Sequence, residues 1–444
     1  MTLGEAVNYY HSLEKFGIMP GLERITLLSE RLGSPHKKLK FIHVAGTNGK
    51  GSTCTALASV LTEAGYKTGL YTSPYVIDFR ERIQLNMEMI TPEELIKCTE
   101  KVKSAIEELL AEGVKITEFE AVTAAAFLFY SDNECDFVVL ETGLGGRFDA
   151  TNIIESPLCS IITSVSFDHV GVLGDSLRKI AFEKSGIIKK NCPVITGAEQ
   201  PVGVLEVIEE TAQKLNSELV LRNSDELFEV ISESITGTVV NSAEGIFEIP
   251  FSGRHQLNNM ALVTGAVNEL RGNGIEIRNE AVRKGIEAAR IPARTEVLSK
   301  NPFVILDGSH NDGSTAALGY LVKKHLYGKK ILAVMGMMAD KDVKKSLGNL
   351  VPYFSKVIAV EPSNPRSMKC EELSQIIGEL GTESIPCKSP CEGIDNAFTV
   401  LQEYDALIVC GSLYLAGDVR DEMLKKCGEM PLEIIGGTPY ANEG

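Results

Sequence analysis

The stretch His43–Thr53, HVAGTNGKGST, has three glycines and a lysine in the order of a phosphate-binding loop, with one residue out of place. The usual Walker loop puts Ser or Thr directly after its lysine. Here Gly51 separates Lys50 from Ser52. Three readings compete: a damaged ATPase motif, a chance glycine cluster, and a loop built for a particular chemistry. Glycines let a backbone turn tightly and aim N–H groups at phosphate oxygens. A lysine adds charge for the terminal phosphates, and a following helix lends the partial positive charge of its N-terminus. The backbone of GTNGKGS and Lys50 would then hold the phosphates of ATP or GTP, with Ser52 or Thr53 placing a hydroxyl near a metal.

Other reactive residue types lie just past apolar runs. Ser73 ends GLYTSP, Glu141 lies within DFVVLETGLGGRFDATN, and His169 follows SIITSVSFDH. Ligands in open α/β sheets gather at the carboxyl ends of strands, so these three should converge. A hydroxyl, a carboxylate and an imidazole could hold one or two Mg²⁺ ions beside nucleotide phosphates. Mg²⁺ prefers oxygen, which makes His169 the least comfortable member; a hydrogen-bonded turn histidine is its alternative reading. Lys184, in LRKIAFEKSGIIK, reads by default as a surface lysine, with Asp168 and Glu183 as solvated or structural partners. Arg147, Phe148 and Asp149 follow the flexible GLGG turn, where a substrate could meet the backbone. In ITEFEAVTAAAFLFY, Phe127 and Phe129 belong to an apolar core, whereas Phe119 suits a flat ligand. Further along, Arg294 in RTEVL, Asp307 and His310 in LDGSHND, and the amides of RHQLNNMALV are polar among apolar neighbours. Each is weak alone. Together they suggest a nucleotide held between two domains whose closure completes the site.

The elements that must position these groups are legible as alternation. LKFIHVAG, KTGLYTS, DFVVLETG, CSIITSV and CPVITG read as buried strands of a parallel sheet, each followed by turn residues and a helical pattern. KGSTCTALASVLTEA has Leu57, Val60, Leu61 and Ala64 at helical spacing, so the glycine loop sits between strand and helix, as the motif demands. SELVLRN, LFEVISES, TGTVVNS and GIFEIPFSG alternate like antiparallel strands and read as a β-rich extension of the first domain. A helix-rich stretch follows, from about residue 255 to 290. After Pro292 a second α/β series begins, with FVILDGS, KILAVMGM, KVIAVEP and DALIVCGS as strands. The expected domains are 1–293 and 294–444.

A chain of 444 residues is long for one core, and 44% hydrophobic with 23% charged residues is ordinary for a globular protein. The net charge of −16 argues against a broad nucleic-acid surface, although local cations can still bind anions. No apolar run approaches the roughly 18 residues that cross a bilayer. The first residues, MTLGEAVNYYHSLEKFG, lack a signal-peptide apolar region. Ten scattered cysteines suit reduced thiols, and Cys387 with Cys391 has neither a second pair nor His partners for a metal. A cytoplasmic monomer without nucleic-acid or membrane partners is expected.

The ordered set GTNGKGST, TSP…ERI, TEFEAVTAAAF, ETGLGGRFDATN, SFDHVGVLG, EKSGIIK, HQLNN, PARTEVL and LDGSHN resembles the folylpolyglutamate synthase/dihydrofolate synthase group of the Mur ligase family, along nearly the whole chain. Gly51 is a feature of that group's loop, so the motif is intact. The resemblance implies an α/β architecture: a central P-loop ATPase domain with a mostly parallel sheet and a β-rich extension, then a smaller Rossmann-like C-terminal domain. It implies ATP and Mg²⁺ as cofactors. Ser73, Glu141 and His169 become the metal ligands, and Gly49, Lys50, Gly51, Ser52, Asn259, Arg294 and Asp307 the ATP contacts, with His310 close by. Lys184 matches a lysine that is carbamylated in the family, which turns a cation into a carboxylate-like metal ligand. Ile116, Thr117, Glu118, Phe119, Arg147, Phe148 and Asp149 match segments that contact the pterin-bearing substrate. Departures are Tyr75 for a frequent His, Ser309 and Asp312 for Ala and Pro, and IPAR for WPGR.

The implied reaction is ATP-dependent ligation of L-glutamate to a reduced folate, to dihydropteroate, or to both. A Mur-type ligase acting on a UDP-sugar peptide is the alternative within the family; Gly51 and ETGLGGRFDATN argue against it. A P-loop kinase and a non-enzymatic, ATP-gated interaction module are the readings from other classes.

Overall fold

The computed structural model describes residues 1–17, 19–339 and 343–429. All five early apolar runs are strands: β1 (Phe41–Ala45), β2 (Thr68–Tyr71), β5 (Phe137–Glu141), β6 (Cys159–Ile162) and β7 (Val194–Gly197). With β3 (Ile83–Leu85), β4 (Glu88–Met89) and β8 (Leu219–Arg222) they form one sheet in the order β4-β3-β2-β5-β1-β6-β7-β8. From β2 to β8 every pairing is parallel. β1, β2 and β5 are buried at every residue, as expected of a sheet covered on both faces.

One expectation needs correcting. SELVLRN is not part of an antiparallel extension: β8 pairs parallel with β7, at the sheet's edge. The helix Val202–Lys214 lies between them and supplies the long crossover that parallel neighbours require. The partly exposed edge position gives β8 a mixed burial that imitates alternation. The extension itself is the three-stranded sheet β9 (Glu229–Ser234), β10 (Gly237–Ser242) and β11 (Gly245–Ile249). The helix-rich stretch is Arg254–Gly272 and Asn279–Ala288.

The second series folds as a sheet in the order β12-β13-β17-β14-β15-β16. Its strands are β12 (Glu296–Lys300), β13 (Phe303–Leu306), β14 (Ile331–Met335), β15 (Lys356–Val360), β16 (Glu383–Cys387) and β17 (Ala406–Cys410). All pairings are parallel except β12 with β13. The two strands without an apolar signature, β12 and β16, lie at the edges; β16 even contains Pro386, which an edge tolerates.

The chain separates into two compact units. One comprises Met1–Glu229, Val240–Glu248 and Gln256–Ala289; the other comprises Val230–Val239, Ile249–His255 and the chain from Arg290 onward. Among the described residues no helix is long and apolar enough to cross a membrane.

Candidate active site

In the first unit the glycine loop joins the buried strand β1 to the helix Lys50–Glu63. Gly49 caps that helix at φ +88°, a left-handed conformation that glycine adopts without strain. A Cβ there would also collide with Oδ1 of Asn259, so the loop and this amide are brought into contact. Lys50 donates to the carbonyl of Thr47 at 3.2 Å, and its ammonium lies 3.9 Å from Glu141. Glu141, at the end of β5, accepts from the Ser73 backbone N–H at 3.1 Å. Lys50, Ser73 and Glu141 are therefore assembled at the carboxyl edge of the sheet, as the strand positions demanded.

Lys184 departs from its default reading. It is 4% exposed, and its ammonium donates to the Gly46 carbonyl at 2.6 Å. Burial, with help from the neighbouring Lys50 charge, pulls its pKa down to about 7. A large fraction is then the neutral, nucleophilic amine near neutral pH. The charge on the helix Leu177–Ser185 lies under the phosphate loop, not on the surface.

The donors suit a hard cation. Glu141 and the hydroxyls near the loop are oxygen ligands of the kind Mg²⁺ selects. Thr53 Oγ1, in the first turn of the loop's helix, is buried and has no hydrogen-bond partner among the described residues. His169 sits at the head of the short helix Val170–Leu173, with Nε2 3.9 Å from Asp168. Glu141 and His169 do not join a third acidic, Cys or His donor in a tight cluster. Among the described residues such triads occur only at His11, Glu14 and Glu118, and at Glu361, Cys370 and Glu371.

The expected acceptor residues are placed by two local devices. Thr117 caps the helix Glu118–Asp132 in a capping box with Glu120, and Ile116 is buried beside it, so both act through the helix they begin. The box sets Phe119 on the first turn, its ring 6.1 Å from Tyr71 and in the space that a Cβ on Gly143 would need. Glu118 pairs with Arg82 at 2.7 Å. The GLGGRFDATN loop is tied to itself: Asp149 accepts from Leu144 N, Thr151 N and Thr151 Oγ1 at 2.8, 3.0 and 2.5 Å. Asn152 donates to the carbonyls of Arg147 and Gly186, both at 3.0 Å. Arg147 lies between the rings of Phe148 and Phe182, at 4.3 and 5.0 Å, and forms a two-point pair with Glu183. Phe148 is 45% exposed.

In the second unit Asp307, at the end of β13, is a buried hub. It accepts from Thr295 N and Oγ1 at 2.7 and 3.1 Å, from Ser309 N at 2.8 Å, and from Ser309 Oγ. This fastens the segment carrying Arg294, flanked by Ala293 and Thr295 at positive φ, to the strand end. His310 Nδ1 lies 2.9 Å from the Gly308 carbonyl. Glu296 holds the same turn, accepting from Ala293 N and pairing with Arg420.

Sequence reasoning missed the residues that hold others in place: Arg82, Thr151, Arg420, and Glu183 as a specific partner of Arg147. Arg82 and Thr151 lie inside motifs, in ERI and DATN, which was the available signal. Arg420 lies in no motif, and its role follows only from tertiary placement.

Residues 44–267 match the Mur ligase middle domain, and residues 293–413 match the glutamate ligase domain of Mur ligases. The chain is 35% identical over 433 residues to the dihydrofolate synthase/folylpolyglutamate synthase of Bacillus subtilis, covering 94% of this chain and 98% of that protein. The crystal structure of Mycobacterium tuberculosis folylpolyglutamate synthase complexed with ADP and AMPPCP is similar with a TM-score of 0.85 and 28% identity, over 95% of this chain and 98% of that one. Thermotoga maritima folylpolyglutamate synthase gives a TM-score of 0.82 and 34% identity, over 95% and 96%. The chain belongs to the Mur ligase family, in its folylpolyglutamate synthase/dihydrofolate synthase group.

Proposed function

We propose that this protein uses ATP to ligate L-glutamate to a folate, and that dihydropteroate is a second acceptor. The observation that carries the reading is Lys184, buried under the phosphate loop and bonded to Gly46, where a generic ATPase has no need of it. Carboxylate and amine do not condense usefully in water, so the acceptor carboxylate first takes the γ-phosphoryl group, giving an acyl phosphate and ADP. The glutamate amine then attacks the acyl carbon, and phosphate leaves with one acceptor oxygen. Catalysis is mainly positioning and charge neutralisation. The loop N–H groups and Lys50 would hold the triphosphate, with Asn259 against Gly49; Arg294 and Asp307, with His310, are the second unit's ATP residues by resemblance to the family. Ser73, Glu141 and His169 would hold Mg²⁺, which supplies charge neutralisation at the transferring phosphoryl group. The neutral Lys184 amine adds to CO₂, losing a proton, to give a carbamate that contributes an anionic oxygen. Phe119 and the backbone of the Arg147–Asp149 loop receive the pterin-bearing acceptor.

The functional division is residues 1–293 for ATP and acceptor and 294–444 for the ligase domain, in a cytoplasmic monomer. The UDP-sugar peptide reading is disfavoured, because relatives named for folate enzymes align over nearly the full chain. Purified protein incubated with ATP, Mg²⁺ and labelled glutamate should incorporate the label with a reduced folate and with dihydropteroate. ADP release without glutamate incorporation would overturn the reading, and incorporation with only one acceptor would decide between the two activities.

A further inference from the structure

His43 opens the loop motif, yet nothing in the reaction above uses it. It is fully buried on β1, and its Nε2 lies 2.9 Å from Thr151 Oγ1. Thr151 Oγ1 in turn lies 2.5 Å from Asp149 Oδ1. The direction of these bonds can be worked out. Asp149 accepts backbone N–H groups on both oxygens, from Thr151 on Oδ1 and from Leu144 on Oδ2, and these donors favour the carboxylate against the burial that raises its pKa; as a carboxylate it can only accept. The single hydroxyl proton of Thr151 therefore goes to Asp149, and the threonine oxygen must accept from His43. That fixes the tautomer: Nε2 carries the proton and Nδ1 is a bare lone pair. In keeping with this, Nδ1 is buried with no hydrogen-bond partner among the described residues. Burial, reinforced by the Lys189 charge, pushes the imidazole pKa down to about 3, so the ring is neutral at working pH.

The relay ends in the loop that packs against Phe119. Asp149 gathers Leu144 and Thr151 to close the turn, and Gly143 lies against the Phe119 ring. We propose that His43 is a positioning residue for the acceptor, acting through Thr151 and Asp149 to hold the Gly143–Asp149 backbone in its receiving shape. The inference rests on the reading that this loop meets the pterin-bearing acceptor. His43 also sits on the strand that leads into the phosphate loop, so a merely structural role would disturb ATP binding at least as much. The two roles differ in which KM they change.

Steady-state kinetics of His43→Ala, His43→Gln and Thr151→Val decide between them. A glutamine can present an N–H near the position of Nε2, and valine removes the hydroxyl with little change in shape. His43→Ala and Thr151→Val are expected to raise the acceptor KM about tenfold, with the ATP KM within about twofold of wild type. His43→Gln should recover most of the loss. The double variant should be little worse than the worse single one, because both cut the same relay. Equal rises in both KM values, an unchanged acceptor KM, or a glutamine variant no better than alanine would overturn the proposal. If His43→Ala does not fold, Thr151→Val carries the same test from the far end. Amide hydrogen exchange at Leu144 and Thr151 reads the loop without any turnover, so it separates this inference from the folate reading. Faster exchange by about tenfold in Thr151→Val is expected; unchanged exchange would overturn the relay even if the protein proves to be a folate ligase.

Discussion

Two loops of the first unit, Gly46–Ser52 and Gly143–Asn152, are built in opposite ways. The phosphate loop has small residues in tight quarters, and the amino groups of its lysines donate to main-chain carbonyls: Lys50 to Thr47, and the incoming Lys184 to Gly46. The Gly143–Asn152 loop turns Asp149 and Asn152 inward, both bonded to the loop and its neighbours. On the proposed reading a polyanion would be met by the charge of Lys50 and by N–H groups of the glycine loop. A flat, mostly neutral ring needs a surface of fixed shape, and the carboxylate in that loop serves the shape. Asp307 in the second unit repeats the device of Asp149, but its donors come from two separate segments, at Thr295 and Ser309.

The contrast can be broken at several points. Lys184→Ala should have the largest effect, at least about 100-fold in kcat, equivalent to about 2.7 kcal/mol of transition-state stabilisation. Partial rescue by acetate would support the carbamate, and full activity without rescue would make Lys184 an inert buried lysine. Gly49→Ala comes next: a side chain at φ +88° that meets Asn259 should raise the ATP KM and lower kcat, together costing more than about tenfold. Asp149→Asn should raise the acceptor KM and leave the ATP KM unchanged. It turns an NH₂ toward backbone donors, with a stability loss of about 1–3 kcal/mol readable by urea melts. If this variant instead raises the ATP KM, the two loops are not separate in function.

A last effect is on acid stability, where no catalytic rate changes. The His43 imidazole has an ordinary pKa of about 6.5 in the unfolded chain, and burial pushes it down to about 3 in the folded protein. As pH falls below 6.5 the unfolded state takes up a proton that the folded state refuses, so stability falls by up to about 1.4 kcal/mol per pH unit. Above 6.5 this stability is fully present. His43→Gln should flatten the acid limb by one proton's worth, measured as the change in unfolding free energy between pH 7 and pH 5. An identical slope in both proteins would mean that the ring is protonated in the folded state.

The sequence was most informative where burial is simple. FIHVA and FVVLE are apolar throughout because both faces of the sheet are covered, and such runs admit few other readings. The glycine loop was legible because its function requires glycines at fixed spacing between strand and helix. β8 reads as one of an alternating set because an edge strand leaves even apolar residues such as Leu221 exposed, whatever its partner's direction. Lys184 was legible as functional only through resemblance. Its burial follows from where the helix Leu177–Ser185 docks, and nothing in LRKIAFEKS announces that. Asp149 is legible as a residue after the GLGG turn, and Asp307 as one past a strand end. That protein donors already surround their carboxylates depends on turns which no spacing rule specifies.

The most direct test of the ligase mechanism follows the acceptor's own oxygen. An acceptor labelled with ¹⁸O in its reacting carboxylate, turned over with ATP and L-glutamate, should place one labelled oxygen in each phosphate released, in step with glutamate incorporated. Phosphate without label would show that water, not the acceptor carboxylate, takes the phosphoryl group, and would contradict the account.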